Sequence, residues 1–500
     1  MIKQIKKIIS LPEFLITAIS GFLFLLTQSA STSPLFYWSY VDSTIFRLLG
    51  VTLVRGGRLY VTTLDSKGPV LFFIEAFGAW ISNGRIGIFL VQYLFLLVTL
   101  FSVLLIAKQI LNNKFAWIFP VLYLSFYGFA YEGGNLAEEF SLSFIFLSIY
   151  LIIYLFENGS LSTQKNKISN KIENLLLFTL GIVGALTFFI RANNAAAIAA
   201  ALVVLLYFVF KKLPLKRFLV SLGCIVLGFS FVTALIFSYF IANHSFSDMI
   251  YGTFVFNYQY SVNHPRIFSS IFFNSFSATA IIICIVSLAT AFVHYQNKKD
   301  ATLPLLAVFV SLFSTAALYV SGYNWLHYLQ LLMPSLLIAL VMLIGALAEI
   351  RGKLSGKTLY LNIGYVAVFV LLCMDFSVTF RYRLQRKYDK QYIRDSIQVI
   401  DEIPVAQRNS VYGYGINPVP FIETSVLPSK RLTALQDWMI GQDPVLKKEV
   451  YNYFLINPPK WLILSPAYPI QDTLIKEFVA KNYHQVFLNS NYTLDELKGN

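Results

Sequence analysis

Charge is scarce in this 500-residue chain: only 13% of residues are Asp, Glu, Lys or Arg, about half the share of a soluble domain. Cysteine is scarcer still. The three cysteines, Cys224, Cys284 and Cys373, each fall in an apolar run, so no disulfide framework is expected. The five histidines show no metal-ligand spacing. Asp-x-Asp, a phosphate-cradling Gly-rich loop and His-Glu-x-x-His are all missing. These absences argue against nucleotide-sugar transferases and zinc hydrolases of the familiar kinds.

What is abundant is apolar. Hydrophobic residues make up 57% and aromatics 16%. Runs of 18 or so apolar residues recur over the first three quarters, each long enough to span the ~30 Å hydrocarbon core as a helix. The fold class expected is a polytopic α-helical membrane protein of about 11 spans. They are placed near 11–29, 86–107, 115–131, 140–156, 175–190, 194–210, 218–241, 271–293, 303–320, 328–348 and 359–377. The basic run after Met1, "IKQIKK", reads as the uncleaved cytoplasmic end of the first span.

The net charge of +14 is an orientation signal rather than a nucleic-acid footprint. With the N-terminus inside, the inner segments hold seventeen Lys and Arg, against seven in the outer segments before the tail, as the positive-inside rule requires. This places the C-terminus outside the plasma membrane. The apolar stretch 68–82, "GPVLFFIEAFGAWIS", is too short for a span. Counting it as one would invert every later loop, so it is read as an outer juxtamembrane or re-entrant helix. Two domains follow: a membrane domain over 1–378 with a long outer loop at 30–85, and an extracytoplasmic α/β domain over 379–500. In the tail, helices near 389–402, 444–456 and 471–482 alternate with strands near 409–414 and 461–465 and a final "HQVFL".

The outer segments collect the ionisable residues that a bilayer makes expensive. Asp42 opens a short amphipathic segment after the first span. Then come Gly57-Arg58-Leu59-Tyr60 and Asp65-Ser66-Lys67-Gly68-Pro69. Glu138 and Glu139 start a span, and Arg191 follows "GALTFFI" directly. His264-Pro265-Arg266 and His327-Tyr328 sit in further outer loops. The bland alternatives are solvated turns for Asp65 and Lys67, a favourable helix start for the two glutamates, and snorkelling for Arg191.

The order over 42–69 resembles the first outer loop of GT-C glycosyltransferases, which include protein O-mannosyltransferases and bacterial lipid A aminoarabinose transferases. That family shares an acid after the first span, a Gly-x-x-Tyr element, and an acid and a Lys or His before a Pro-initiated helix. Ser43 stands where many members carry a second acid. The resemblance implies transfer of a sugar from a polyprenyl-phosphate carrier, undecaprenyl phosphate in a bacterium, to a glycan, lipid or protein acceptor outside. It implies Asp42 as general base, with Lys67 and Arg191 on the carrier phosphate. Tyr60, Asp65, Glu138, Glu139, Arg266 and His327 are the candidate acceptor or sugar contacts. No cofactor is required; a divalent metal held by Asp42 with Glu138 and Glu139 stays open. A lipid-linked saccharide flippase or transporter and a polysaccharide polymerase or ligase are the alternatives. Against a transporter, the sequence shows no internal repeat.

Overall fold

A computed structural model describes residues 10–36, 40–82, 84–111, 116–162, 167–263, 275–298, 301–320, 325–350 and 390–499. Among them, nine helices are long and apolar enough to cross a bilayer. Five form the first part of the bundle: α1 (Leu11–Gln28), α4 (Arg85–Leu111), α6 (Ala137–Asn158), α7 (Asn170–Ile190) and α8 (Ala196–Lys212, prefixed by the turn Ala192–Ala195). They are joined by α9 (Leu215–Ala242), α12 (Ser275–Lys298), α13 (Thr302–Val320) and α14 (Met333–Ile350, prefixed by the 3-10 turn Leu326–Leu332).

Four shorter helices matter to the site. α2 (Val41–Val54) and α3 (Pro69–Ile81) pack on each other beside the bundle. Pro69 at its first position starts α3, where the missing N–H costs nothing. The stretch 68–82 is thus a 13-residue helix, shorter than a span, as expected of a juxtamembrane element. α10 (Phe246–Ile250) and α11 (Phe256–Asn263) flank a π-helical turn, Tyr251–Val255. The segment near 115–131 forms α5 (Ile118–Tyr127) and a 3-10 turn, Gly128–Ala130, a shorter helix than the span expected there. Yet it leads the chain from the end of α4 back to the start of α6, which pack side by side in the same direction, Phe95 against Phe140 and Thr99 against Ser143. The buried residues of α5 pack inside the bundle's main core. The span expected at 359–377 lies outside the described residues.

The bundle closes by small-residue contact. A Cβ on Gly181 of α7 would collide with the Ile225 carbonyl of α9, and one on Gly228 with the Phe178 carbonyl. Such glycines let membrane helices approach backbone to backbone.

The tail forms a four-stranded sheet of order β1-β2-β4-β3: β1 (Val411–Tyr414), β2 (Trp461–Leu464), β3 (Tyr483–Leu488) and β4 (Thr493–Leu497). β1 and β2 run parallel with Val411 opposite Trp461, and β4 pairs antiparallel with both β2 and β3. Helices at 390–401, Pro444–Leu455 and Thr473–Asn482 accompany it. The tail shares its cores with the membrane-side helices. Leu48 of α2 is packed with Val399, Ile403, Val411, Phe421 and Trp461. Tyr412 and Leu462 belong to one continuous core with Ile45, Tyr60 and Phe72. The short helix Val419–Thr424 rests on α2.

Candidate functional site

The site lies where α2, the α2–α3 loop, the start of α6, the end of α7 and the turn before α14 meet. Asp42 sits in the first turn of α2. It is partly exposed and its carboxylate takes no hydrogen bond among the described residues. Burial pushes its pKa above the ordinary carboxylate range, against the opposing pull of Lys67 and His327.

Lys67 ends the loop before α3. Asp65, only 6% exposed, accepts the Lys67 backbone N–H at 2.9 Å and shapes the turn. Gly68 passes its N–H to the Ile190 carbonyl at 2.9 Å, tying the loop to the end of α7. The Lys67 ammonium lies 5.5 Å from the centre of the Phe46 ring and 3.4 Å from the Ser66 hydroxyl. Burial works against its charge, but Asp65 and Asp42 outweigh that and hold its pKa above the usual lysine value. The ammonium thus stays charged without a carboxylate clamped onto it.

Tyr60 is placed beneath this loop. It is wholly buried, its hydroxyl donates to the Lys67 carbonyl at 2.8 Å, and Thr253 donates to that hydroxyl at 3.1 Å. A buried ring with both hydroxyl roles taken offers no surface to a sugar; its place is that of a support.

The two adjacent glutamates have separate partners. Glu138 is ion-paired with Arg191 and lies 4.0 Å from His327 Nε2. Glu139 accepts from Gln92 at 2.8 and 2.9 Å, from Tyr131 at 3.1 Å and from the Asn135 N–H at 2.7 Å. Three donors making four contacts with a 3% exposed carboxylate make Glu139 a structural knot rather than a contact for substrate. Among the described residues no group of three or more His, Cys, Asp or Glu side chains is disposed to hold a metal ion.

Arg191 follows α7 directly. Its guanidinium also donates to the Tyr328 hydroxyl at 2.8 Å and lies 4.3 Å from the centre of that ring. His327 bonds through Nδ1 to Glu132 at 2.5 Å. Glu132 itself begins a run of four left-handed residues, Glu132, Gly133, Gly134 and Asn135, with φ of 47°, 85°, 77° and 63°. Two glycines carry that conformation without steric cost, and the turn brings Glu132 to the histidine and Asn135 to Glu139. Arg266 lies outside the described residues.

Sequence reasoning brought Asp42, Lys67, Glu138, Arg191 and His327 to one face, and their charges do interact there. It missed Glu132, Gln92 and Asn135. Asn135 donates to both Ser43 and Glu75, at 2.9 and 2.8 Å. A lone Gln in the apolar run of α4 was the available signal.

An apolar groove of about 510 Å³ runs alongside, lined by Val70, Phe73 and Phe77 of α3, Leu186 of α7, and Val232 and Ile236 of α9. α3 begins just after Lys67, and α7 ends just before Arg191.

No family model matches the chain, and no curated protein matches it by sequence. Solved structures do. ArnT from Cupriavidus metallidurans bound to undecaprenyl phosphate superposes with a TM-score of 0.57 at 10% identity, over 96% of this chain and 97% of that one. Its apo state gives 0.56 at 9% identity, over the same shares. The Archaeoglobus fulgidus oligosaccharyltransferase tethered to an acceptor peptide gives 0.51 at 11% identity, over 95% of this chain and 72% of that one. At such identities the likeness is one of fold: this chain shares the fold of these structures, as the resemblance over 42–69 implies.

Proposed function

We propose that the protein transfers a sugar from a polyprenyl-phosphate carrier to an acceptor at the extracytoplasmic face of the membrane. The observation that carries this reading is the meeting of an unbonded carboxylate, Asp42, with two cations, Lys67 and Arg191, beside an apolar groove. A lipid phosphate needs compact positive charge at its head and an apolar track for its chain. The undecaprenyl phosphate bound to ArnT supports the same class of donor.

In this mechanism Asp42 takes the proton of the acceptor hydroxyl. The oxygen attacks the anomeric carbon, and the bond to the carrier phosphate breaks as that phosphate's charge grows against Lys67 and Arg191. One displacement inverts the anomeric centre. The raised pKa of Asp42 makes it a stronger base than an ordinary aspartate. Glu138 holds Arg191 in place, and the stacked Tyr328 fixes the guanidinium plane.

The test is purified protein in nanodiscs with a panel of polyprenyl-phosphate sugars, following release of polyprenyl phosphate. Release that needs both Asp42 and Lys67 is expected. Intact lipid-linked sugar crossing the bilayer unchanged, with no release, would replace this reading with that of a transporter.

A further inference from the structure

Arg431 belongs to the tail, yet it reaches the loop that carries Lys67. Its backbone carbonyl accepts the Leu64 N–H at 2.9 Å. Its guanidinium donates through Nη1 to the Tyr60 carbonyl at 2.9 Å and to Asp248 at 3.3 Å. The other edge holds both oxygens of Glu449, at 2.7 and 2.6 Å. The guanidinium also lies 5.9 Å from the centre of the Tyr251 ring, on the π-helical turn. The hydroxyl of that ring is bonded to Asp443 of the tail. Four donor contacts and a ring contact fix the guanidinium plane.

The contact acts on a strained point. Tyr60 has φ of +65°, a left-handed conformation that a bulky residue keeps only when its surroundings impose it. Three features impose it here. Arg431 holds the Tyr60 carbonyl. The ring packs edge-on against Phe72, with centroids 5.9 Å apart. Gly252 leaves the space that the ring edge fills. From Tyr60 the path to the site is a single bond, the hydroxyl on the Lys67 carbonyl at 2.8 Å. Asn257 holds the neighbouring Ser66 carbonyl from the same side.

We infer that Arg431 is a positioning residue for Lys67: through the carbonyl and the hydroxyl of Tyr60, the tail sets where the lysine ammonium stands relative to Asp42. The inference rests on the reading of Lys67 as the carrier-phosphate residue. A lysine at 431 would not replace the arginine, because a single ammonium cannot grip Glu449 with two parallel bonds and also reach Tyr60.

The experiment uses the full chain in nanodiscs and the variants Arg431→Ala, Arg431→Lys and Tyr60→Phe. Two quantities are read: hydrogen exchange over residues 57–68 and over strands β1 and β2, and binding of undecaprenyl phosphate. Both Arg431 variants are expected to speed exchange over 57–68 about ten-fold or more while the strands stay protected. They are expected to weaken lipid-phosphate binding about ten-fold, the scale of one charge-assisted hydrogen bond. Tyr60→Phe keeps the backbone bonds to Arg431 and removes the hydroxyl's two bonds, to the Lys67 carbonyl and from Thr253. It is expected to leave Leu64 protected and still weaken binding. Wild-type protection of 57–68 or wild-type binding in Arg431→Ala would overturn the inference. If Arg431→Ala strips protection from the strands, Tyr60→Phe decides alone, and unchanged binding in it overturns the inference. If the wild type binds no polyprenyl phosphate, the proposed function fails separately. The rate of Lys67 acylation by an amine reagent, read by mass spectrometry, then decides: a changed rate in both Arg431→Ala and Tyr60→Phe supports the positioning role, and an unchanged rate ends it.

Discussion

The two ends of the helix bundle treat charge differently. At the end where α1 begins and α4 finishes, the two half-buried cations are matched to acids. Lys108 meets Glu13 at 2.6 Å, and Arg217 meets Glu173 at 2.8 Å. Glu13 also takes the Ser10 N–H, and Glu173 the Ser160 hydroxyl, at 2.8 and 2.6 Å. At the other end Arg191 has Glu138, but Lys67 has no carboxylate in ion-pair reach and Asp42 no donor among the described residues. Matched charge pins helices together. Unmatched charge, costly beside a bilayer, persists where a ligand will complete it. Under the proposed function, the contrast separates an end that pins helices from an end that takes the ligand.

The sharpest way to break this comparison is at Asp42. Asp42→Asn is expected to lower the rate of sugar transfer by about 10²–10⁴-fold, the scale of general-base catalysis, with the thermal midpoint unchanged because no hydrogen bond is lost. Polyprenyl-phosphate release under single turnover measures it.

Arg191→Ala comes next, since it removes a cation from the site and strands Glu138, which is 1% exposed. Breaking a buried pair from one side costs roughly 3–5 kcal/mol, so both the thermal midpoint and donor binding should fall. Lys67→Ala, by contrast, should weaken donor binding with little change in the midpoint. A calorimetric scan paired with a lipid-phosphate titration distinguishes the two.

At the paired end the pattern should reverse. Lys108→Ala is expected to lower the midpoint and leave transfer per folded molecule as it was. A loss of turnover there would erase the distinction between the ends.

A pH-dependent effect is expected at Glu75, whose pKa burial pushes up to about 8 from 4.5. The group is then protonated in the folded protein at pH 7. Its contribution to stability is full below 4.5 and is lost as pH rises through about 8. Glu75→Gln, neutral throughout, should flatten the decline of the thermal midpoint across that window. A midpoint series between pH 4.5 and 8 for both proteins tests it.

Much of this was legible in residue order. Long apolar runs gave the helices because a bilayer admits little else. The short run at 68–82 was set apart by its length and by the charge of the loops that follow it. Asp42, Lys67 and Arg191 stood out because polar groups beside apolar runs are expensive. The run near 115–131 is as apolar as a span, but its helix is short because the chain leaves the α-helix at Gly128. The direction each glutamate faces was not legible, since Glu138 and Glu139 differ only in what the fold brings to them. Nor was the final strand β4, whose "TLDEL" has weak strand character and depends on β2 and β3 for its partners. Arg431 had no signal at all, being one basic residue of fifteen in the tail.

The bond between the Leu64 amide and the Arg431 carbonyl also has a meaning in time. The first strut of the site is made early in synthesis and the residue that braces it comes near the end. At ribosomal speeds the interval is on the order of half a minute. During that time the early helices can enter the membrane while the loop after α2 has its bonds to Ile190, Thr253 and Asn257 but not yet those to the tail. If Arg431 positions Lys67 as inferred, the site is finished only when the tail has folded back. Quality control that inspects the tail would, in effect, inspect the site.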